Sequence, residues 1–272
     1  MIVFPNCKIN LGLHILQKRE DGFHNLETIF YPLALQDALE IIQHPSPSTD
    51  LEFSSSGLQV EGNLSDNICV KAYHLLKSHF PELPTIKMHL HKAIPMGAGM
   101  GGGSADGAFT LMLLNKKINL GIKEQSLIDY ALQLGSDCPF FIKNTPCYAT
   151  GRGEKLENIS LDLSGYKFVL VNPQVHINTG WAFSQINPIS GRQSLEEIIH
   201  RPIESWKKNL RNDFEAAVFH HYPEIENIKT ALYKEGALYA SMTGSGSTVF
   251  GIFQKDASPS LPFPAHYFVK IV

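Results

Sequence analysis

Five glycines lie between Pro95 and Ser104 in the string PMGAGMGGGSADGA, and the segments on either side of them limit what the chain can build there. Upstream, in IKMHLHK, Ile86, Met88 and Leu90 alternate with Lys87, His89 and His91, which is the period of two of a strand. Downstream, Ala105, Ala108, Phe109, Met112 and Leu113 fall at i, i+3, i+4, i+7 and i+8, the apolar stripe of a core-facing helix that Ser104 is expected to cap. A glycine-rich turn between a strand and a helix curls with its N–H groups inward. The helix N-terminus adds partial positive charge, so phosphate is the natural guest.

Two other readings of the same string are open. A flexible linker is the plainer one, and a capped helix directly after the loop argues against it. The second is a dinucleotide fingerprint, because Gly97, Gly99 and Gly102 satisfy G-x-G-x-x-G and Glu124 lies at the spacing of a ribose contact. That reading requires alternating βαβ units, whereas here several strands of antiparallel pattern come first and Glu124 opens a helix. The Walker pattern is excluded, since no Gly-Lys-Ser/Thr follows the loop.

Two further segments carry candidate chemistry. Near the N-terminus Ile9, Leu11, Leu13 and Ile15 alternate with Lys8, Asn10, Gly12 and His14, so the spacing predicts a half-buried strand with Lys8 and Asn10 on its polar face. In LGSDCPFFI, Asp137 follows a helix end and precedes the apolar run Pro139 to Ile142, which places a carboxylate at the floor of a cleft where it can accept a proton from a hydroxyl. The bland alternatives are a solvated strand lysine and a helix-capping aspartate. His89/His91 and His220/His221 lack a carboxylate or cysteine partner set and read as surface pairs rather than metal ligands.

Composition bounds the class. With 272 residues, 43% hydrophobic and 18% charged, the chain is long enough for one large domain or two smaller ones, and it is not disordered in character. A net charge of -3 gives no general attraction to nucleic acid or an anionic membrane, so neither is expected as a partner. Cys7, Cys69, Cys138 and Cys147 are scattered without a CxxC pair, which fits reduced thiols in a cytoplasmic protein. Pro5, Asn6 and Lys8 interrupt any signal-peptide core, and no apolar run approaches the ~18 residues that span a bilayer.

Along the chain, LETIFYPLAL and DALEIIQ read as strands in one antiparallel sheet, LEFSSSG as another strand and HPSPSTD as a surface loop. NICVKAYHLLKSHF reads as a helix with Ile68, Ala72, Leu75 and Leu76 inward, and Leu127, Ala131 and Leu134 mark another closed by Gly135. The second half gives strands at YKFVLV, STVFGIF and HYFVKIV, and helices at NTGWAFSQI, NDFEAAVFHH and EIENIKTALYK. A second Gly/Ser loop spans Thr243 to Ser247. The aperiodic stretch from Gly151 to Leu163 is the expected boundary between two α+β halves.

KINLGL, PMGAGMGGGSADGA and MTGSGSTVFGIF stand in the order of the three signatures of the GHMP superfamily, named for galactokinase, homoserine kinase, mevalonate kinase and phosphomevalonate kinase, and the likeness covers nearly the whole chain. DGFHNLETIF, GSDCPFF, ATGRGE, NDFE and the segment from Pro173 through Thr179 to Phe183 resemble the branch that phosphorylates a diphosphocytidyl methylerythritol in the non-mevalonate isoprenoid route. The resemblance implies a two-domain α+β fold, a ribosomal-protein-like N-terminal domain over residues 1–155 and a ferredoxin-like C-terminal domain over 156–272, with a cleft between them. It implies ATP as phosphoryl donor, Mg²⁺ as cofactor and the substrate's 2-hydroxyl as acceptor. The oligomeric state is left open.

By matching motif, Asp137 resembles the general base and Lys8 the cation that holds it charged and orients the hydroxyl, with Asn10 a substrate ligand beside them. His24 is implied at the cytosine edge. Phe23 stands where relatives stack a tyrosine, so it keeps the ring and lacks the hydroxyl. Thr179 and Phe183 resemble the other wall of the cytidine pocket. Pro95, Gly97, Gly99, Gly101, Gly102, Gly103 and Ser104 resemble the phosphate cradle, with Ser104 a candidate Mg²⁺ neighbour, and Asn67 stands at a nucleotide-side position. Gly244 and Ser245 match the loop that supports the cleft. SADGA in place of SSDAA, and Asn178 where relatives often have Ser, depart from the pattern. Three alternatives remain: another GHMP small-molecule kinase acting on mevalonate, homoserine or a sugar, which does not need His24; a dinucleotide-dependent oxidoreductase; and an inactive binding protein, which would be expected to have lost Lys8 or Asp137.

Overall fold

The computed structural model describes residues 1–44, 50–60, 62–189 and 191–272, so the expected loop HPSPSTD falls largely outside the described residues. In chain order the elements are β1 (Ile2–Val3), β2 (Asn6–Lys18), β3 (His24–Gln36), β4 (Ala38–Gln43), β5 (Leu51–Gly57), α1 (Ile68–His79), β6 (Ile86–Lys92), α2 (Gly102–Ile118), α3 (Glu124–Leu134) and α4 (Cys138–Lys143). There follow β7 (Cys147–Thr150), β8 (Lys155–Asn158), β9 (Tyr166–Asn172), α5 (Thr179–Ser184), α6 (Leu195–Ile199), α7 (Trp206–Asn209), α8 (Phe214–His221), α9 (Pro223–Lys234), β10 (Tyr239–Met242), β11 (Val249–Gln254) and β12 (Phe268–Ile271). The strands form three four-stranded sheets of order β1-β4-β6-β5, β2-β3-β7-β8 and β10-β11-β9-β12.

The chain divides into two compact units, each of several segments. One comprises Met1–Cys7, Ala34–Met96 and Gly101–Thr145; the other comprises Lys8–Leu33, Gly97–Met100 and Pro146–Val272. The first holds the sheet β1-β4-β6-β5 and helices α1 to α4. In β6 the expected alternation is present, with Ile86, Met88 and Leu90 buried, while His89 and His91 face outward against Ser54 and Ser56 of β5. The second unit is built on a core in which Leu13, Ile15 and Leu26 from β2 and β3 join Val169, Val171, Phe214, Ile228, Leu232 and Val249.

Four local expectations are corrected. β2 is buried on both faces from Asn6 to Ile15, because Lys8 and Asn10 on the expected polar face are covered by polar partners rather than by water. β3 and β4 do not share a sheet: the chain turns at Asp37, whose N–H donates to Pro5 O at 2.8 Å, and β4 joins β1 and β6. β5 runs parallel to β6, as a connection through α1 permits. In α2, Phe109 and Met112 are only half-buried, while Asp106, Thr110, Leu111 and Leu114 are buried with Ala105, Ala108 and Leu113. That helix packs on neighbours from several sides, so one stripe does not describe it.

Beyond the expected elements, residues 151–163 are not structureless. β8 returns there beside β7, pairing Cys147 with Asn158 and Thr150 with Lys155. All four cysteines are buried and outside any disulfide, and among the described residues no helix is long and apolar enough to cross a membrane.

Candidate active site

In the second unit the site is assembled around Asn10. Lys8 is 3% exposed; its Nζ donates to Asn10 Oδ1 at 2.7 Å and stands 4.8 Å from the centroid of the Phe30 ring. Asn10 Oδ1 also accepts from the Gly244 N–H at 3.0 Å, and Asn10 Nδ2 donates to Thr28 Oγ1 at 2.9 Å. The Asn10 N–H donates to Thr243 Oγ1 at 3.0 Å, and that hydroxyl lies 3.0 Å from Gly99 O. The Lys8 N–H donates to Met100 O at 2.9 Å. Three segments far apart in sequence, the start of β2, residues 97–100 and the TGSGS loop, are thereby stitched together by direct hydrogen bonds. Gly99 has φ +77°, and a Cβ there would stand 2.1 Å from Thr243 O, so only glycine fits.

The expected cytidine wall is partly assembled in the same unit. His24 and Phe183 stack with centroids 4.9 Å apart at 19°, and Phe183 in turn meets Phe214 edge-on. Burial, with help from Lys18, lowers the His24 pKa, so the ring is neutral at neutral pH and offers one donor and one acceptor nitrogen. The Thr179 and Ser245 hydroxyls are 3.1 Å apart. Phe23 is 52% exposed and does not join the His24–Phe183 stack. Asn178 caps α5 by accepting from the Trp181 N–H at 2.9 Å, so Asn in place of Ser keeps a capping residue type at this position.

In the first unit the turn from Pro95 leads to α2, whose N-cap is Gly101 with φ 68° and no side-chain cap bond. Ser104 is therefore not the cap. It lies within the first turn of the helix, beside the Cys138 thiol, whose pKa burial pushes up to about 12, the Ser104 hydroxyl partly offsetting the rise. Asp137 occupies the N-cap position of α4, yet its side chain makes no capping hydrogen bond, so capping does not account for it. Asn67 caps α1, with Oδ1 accepting from the Cys69 N–H at 2.9 Å, which gives that residue a structural task. Gly107, in the departure SADGA, has a packing cause: a Cβ there would stand 2.8 Å from Ile68 Cγ1.

Gly103 behaves differently, since a Cβ at this position would meet nothing within 4 Å. Gly103→Val is therefore expected to fold, and to lose ATP turnover because a branched side chain fills the space above the helix N-terminus where phosphate approaches. Equal Tm with a collapsed ATP-dependent rate is the expected result. A folded variant with undiminished activity removes Gly103 from the phosphate site.

Sequence reasoning missed a buried ionic cluster beneath this helix. Lys92 Nζ bonds Asp37 Oδ2, and Asp106 Oδ2 at 2.7 Å, while Asp37 Oδ1 accepts from the N–H groups of Ala93 at 2.6 Å and Ile94 at 2.9 Å. Burial works to lower the Lys92 pKa, but Asp106 and Asp37 outweigh it and raise the value overall. Burial pushes the Asp106 carboxyl up to about 7, Lys92 opposing and Asp37 adding to the rise, and Asp106 Oδ1 has no hydrogen-bond partner. The available signal was parity: Lys92 continues the inward series Ile86, Met88 and Leu90.

The dinucleotide reading fails on the fold. Glu124 is the first residue of α3, exposed and not at a strand end, and the strand that leads into the glycine loop, β6, pairs with β4 and with β5, both of which precede it, while the next strand after α2, β7, lies in another sheet. Among the described residues no group of three or more His, Cys, Asp or Glu is placed to hold a metal ion.

Comparison with known proteins follows this geometry. The family description "GHMP kinases N terminal domain" matches residues 67–144, and "GHMP kinases C terminal" matches 194–261. The chain is 52% identical over 256 residues to the 4-diphosphocytidyl-2-C-methyl-D-erythritol kinase of Bacteroides fragilis, covering 94% of this chain and 93% of that one. It is 50% identical over 260 residues to the protein of the same name from Bacteroides thetaiotaomicron, covering 95% and 94%. A crystal structure of 4-(cytidine 5'-diphospho)-2C-methyl-D-erythritol kinase superposes with TM-score 0.80 at 28% identity, covering 93% of this chain and 90% of that one. Mevalonate kinase of Methanococcus jannaschii shares the fold, with TM-score 0.70 at 13% identity and coverage of 100% and 96%.

Proposed function

The chain belongs to the 4-diphosphocytidyl-2-C-methyl-D-erythritol kinase family of GHMP kinases, and on that premise we propose that it transfers the γ-phosphoryl group of ATP to the 2-hydroxyl of 4-diphosphocytidyl-2-C-methyl-D-erythritol, a step of non-mevalonate isoprenoid precursor synthesis. The observation that carries the reading is identity of about half along almost the full length, since the fold itself also serves kinases of other small alcohols.

Phosphoryl transfer asks the protein chiefly to position groups and to supply charge. Gly97, Gly99, Gly101, Gly102 and Gly103 present backbone N–H groups to the phosphates, with the α2 N-terminus behind them and Pro95 and Asn67 at the margins. The stitched contacts of residues 97–100 with β2 and with Thr243 support a loop set in shape before ATP arrives, with Gly244 and Ser245 supporting it. Asp137 accepts the proton of the 2-hydroxyl, and Lys8 supplies a cation at the same hydroxyl. Asn10, holding Lys8 Nζ, keeps one amide hydrogen for substrate. His24 reads the cytosine edge as a neutral imidazole, with Phe23, Phe183 and Thr179 around the base.

Mg²⁺ takes most of its ligands from phosphate and water, so the Ser104 hydroxyl in the first turn of α2 fits as a single protein oxygen. When bound, the ion neutralises charge on the β- and γ-phosphates. The two matched family segments fall on either side of residue 155, in keeping with domains over 1–155 and 156–272, although the compact units group residues 8–33, 97–100 and 146–155 with the C-terminal half. Four buried cysteines outside any disulfide support a reducing, cytoplasmic setting.

The test is ADP release across a panel of the cytidyl methylerythritol, mevalonate, homoserine and galactose. Turnover of the cytidyl compound far above the others is expected. Equal or better turnover of another alcohol assigns the chain to that alcohol instead.

A further inference from the structure

Phe23 offers a phenyl ring to solvent, and one of its faces is already taken. The Arg152 guanidinium stands over that ring at 4.8 Å from the centroid. The turn that carries Arg152 is tightly held. Its N–H donates to Glu154 Oε2 at 2.5 Å, the Gly153 N–H donates to Thr150 O at 3.1 Å, and Gly151 O accepts from the Leu26 N–H of β3 at 2.8 Å. Arg152 is thus fixed by the β7–β8 hairpin against the strand that begins at His24. Glu154 is turned to the backbone of its own turn, where it packs against Gly151, and among the described residues no carboxylate forms a salt bridge with the Arg152 guanidinium. Arg19, another cation near this wall, is engaged by Asp21 through Nε and Nη2 and by Asn25 through Nη1.

Resting on the proposed cytidyl substrate, we propose that Arg152 is a substrate-positioning residue that acts through Phe23. Its guanidinium braces one face of the phenyl ring and leaves the opposite face for the pyrimidine. The chemistry suits a chain in which the ring carries no hydroxyl. A phenol could be anchored at its rim by a hydrogen bond; a phenyl group can be anchored only through its faces, and a cation over the π-system does that. A planar guanidinium stacks on the ring over a wider area than a lysine ammonium can cover.

The experiment compares wild type with Arg152→Met, Arg152→Lys, Phe23→Leu and the Arg152→Met/Phe23→Leu double variant, measuring Tm, kcat and KM for both substrates. Arg152→Met is expected to raise KM for the cytidyl substrate by about 3- to 10-fold, the range of a partly exposed cation–π contact, with kcat, KM for ATP and Tm unchanged. Arg152→Lys recovers part of that loss, and the double variant is no worse than Phe23→Leu alone. The proposal is overturned by a wild-type KM in Arg152→Met, by losses that add in the double variant, or by a joint fall in Tm and in both KM values that marks a purely structural role. A wild-type protein that leaves the cytidyl compound unphosphorylated overturns the functional reading itself, and this assignment with it.

Discussion

Asp137→Asn lowers kcat by roughly 10²–10⁴-fold and leaves the KM for ATP nearly unchanged. The substitution preserves shape and removes the proposed proton acceptor. It also separates the two readings of this residue cleanly, because the Asp137 side chain makes no capping hydrogen bond to α4. A cap lost would cost about 1 kcal/mol of stability and no chemistry. Lys8→Met is expected to reduce kcat as well, with some loss of order in the loops, since Lys8 Nζ is one of the donors to Asn10 Oδ1. If both residues serve one step, the double variant is little worse than the worse single one. Single-turnover rates with saturating ATP decide it: additive losses place the two residues at different steps, and a folded Asp137→Asn protein with near-normal turnover ends the general-base assignment.

How much of this was legible beforehand depends on whether a feature is local. The glycine loop, the strand before it and the helix after it were readable because each is fixed by periodicity and by backbone freedom within a few residues. The environment of Lys8 was not. Alternation put Lys8 and Asn10 on the polar face of β2, and that much is right, but what covers that face is Thr243 and Gly244, more than two hundred residues away in sequence. A period of two says which side a residue faces, not what lies on that side. The same limit explains α2, where burial of Thr110 and Asp106 follows from packing on other elements rather than from the helix's own stripe. Ser104 looked like a cap because Ser is a good N-cap type, yet Gly101 in the left-handed region starts the helix three residues earlier. The cytidine wall was visible only by likeness: nothing in the spacing of His24 and Phe183 says that their rings meet. Arg152, one residue of a turn in an aperiodic stretch, carried no sequence signal beyond its motif.

Lys92→Met is expected to destabilise the protein by about 3–5 kcal/mol, because it removes the cation between two buried carboxylates and leaves both unpaired. At the size of this chain that corresponds to a fall in Tm on the order of 10 °C. The sign of the pH dependence follows from Asp106. Burial already raises its folded-state pKa to about 7 from 3.8, so between those values the folded state binds more protons than the unfolded one and stability rises as pH falls. The penalty of ionising Asp106 is fully present above about pH 7 and is relieved on acidification towards the unfolded value. Loss of Lys92 removes the group that opposes this rise, which pushes the carboxyl further up and deepens the penalty at alkaline pH. The Tm deficit of Lys92→Met is therefore larger at about pH 8 than at about pH 6. Adding Asp106→Asn removes one of the stranded charges and is expected to restore part of the loss. A further effect lies on the phosphate side: a Cβ on Gly102 would stand 3.5 Å from Lys92 Nζ, so the cluster lies directly under the first residue of α2. Loosening that support raises the KM for ATP in the folded fraction, measured below the lowered Tm. Scanning calorimetry at the two pH values decides the outcome, and a variant with wild-type Tm at both would mean that the cluster contributes nothing to holding the helix in place.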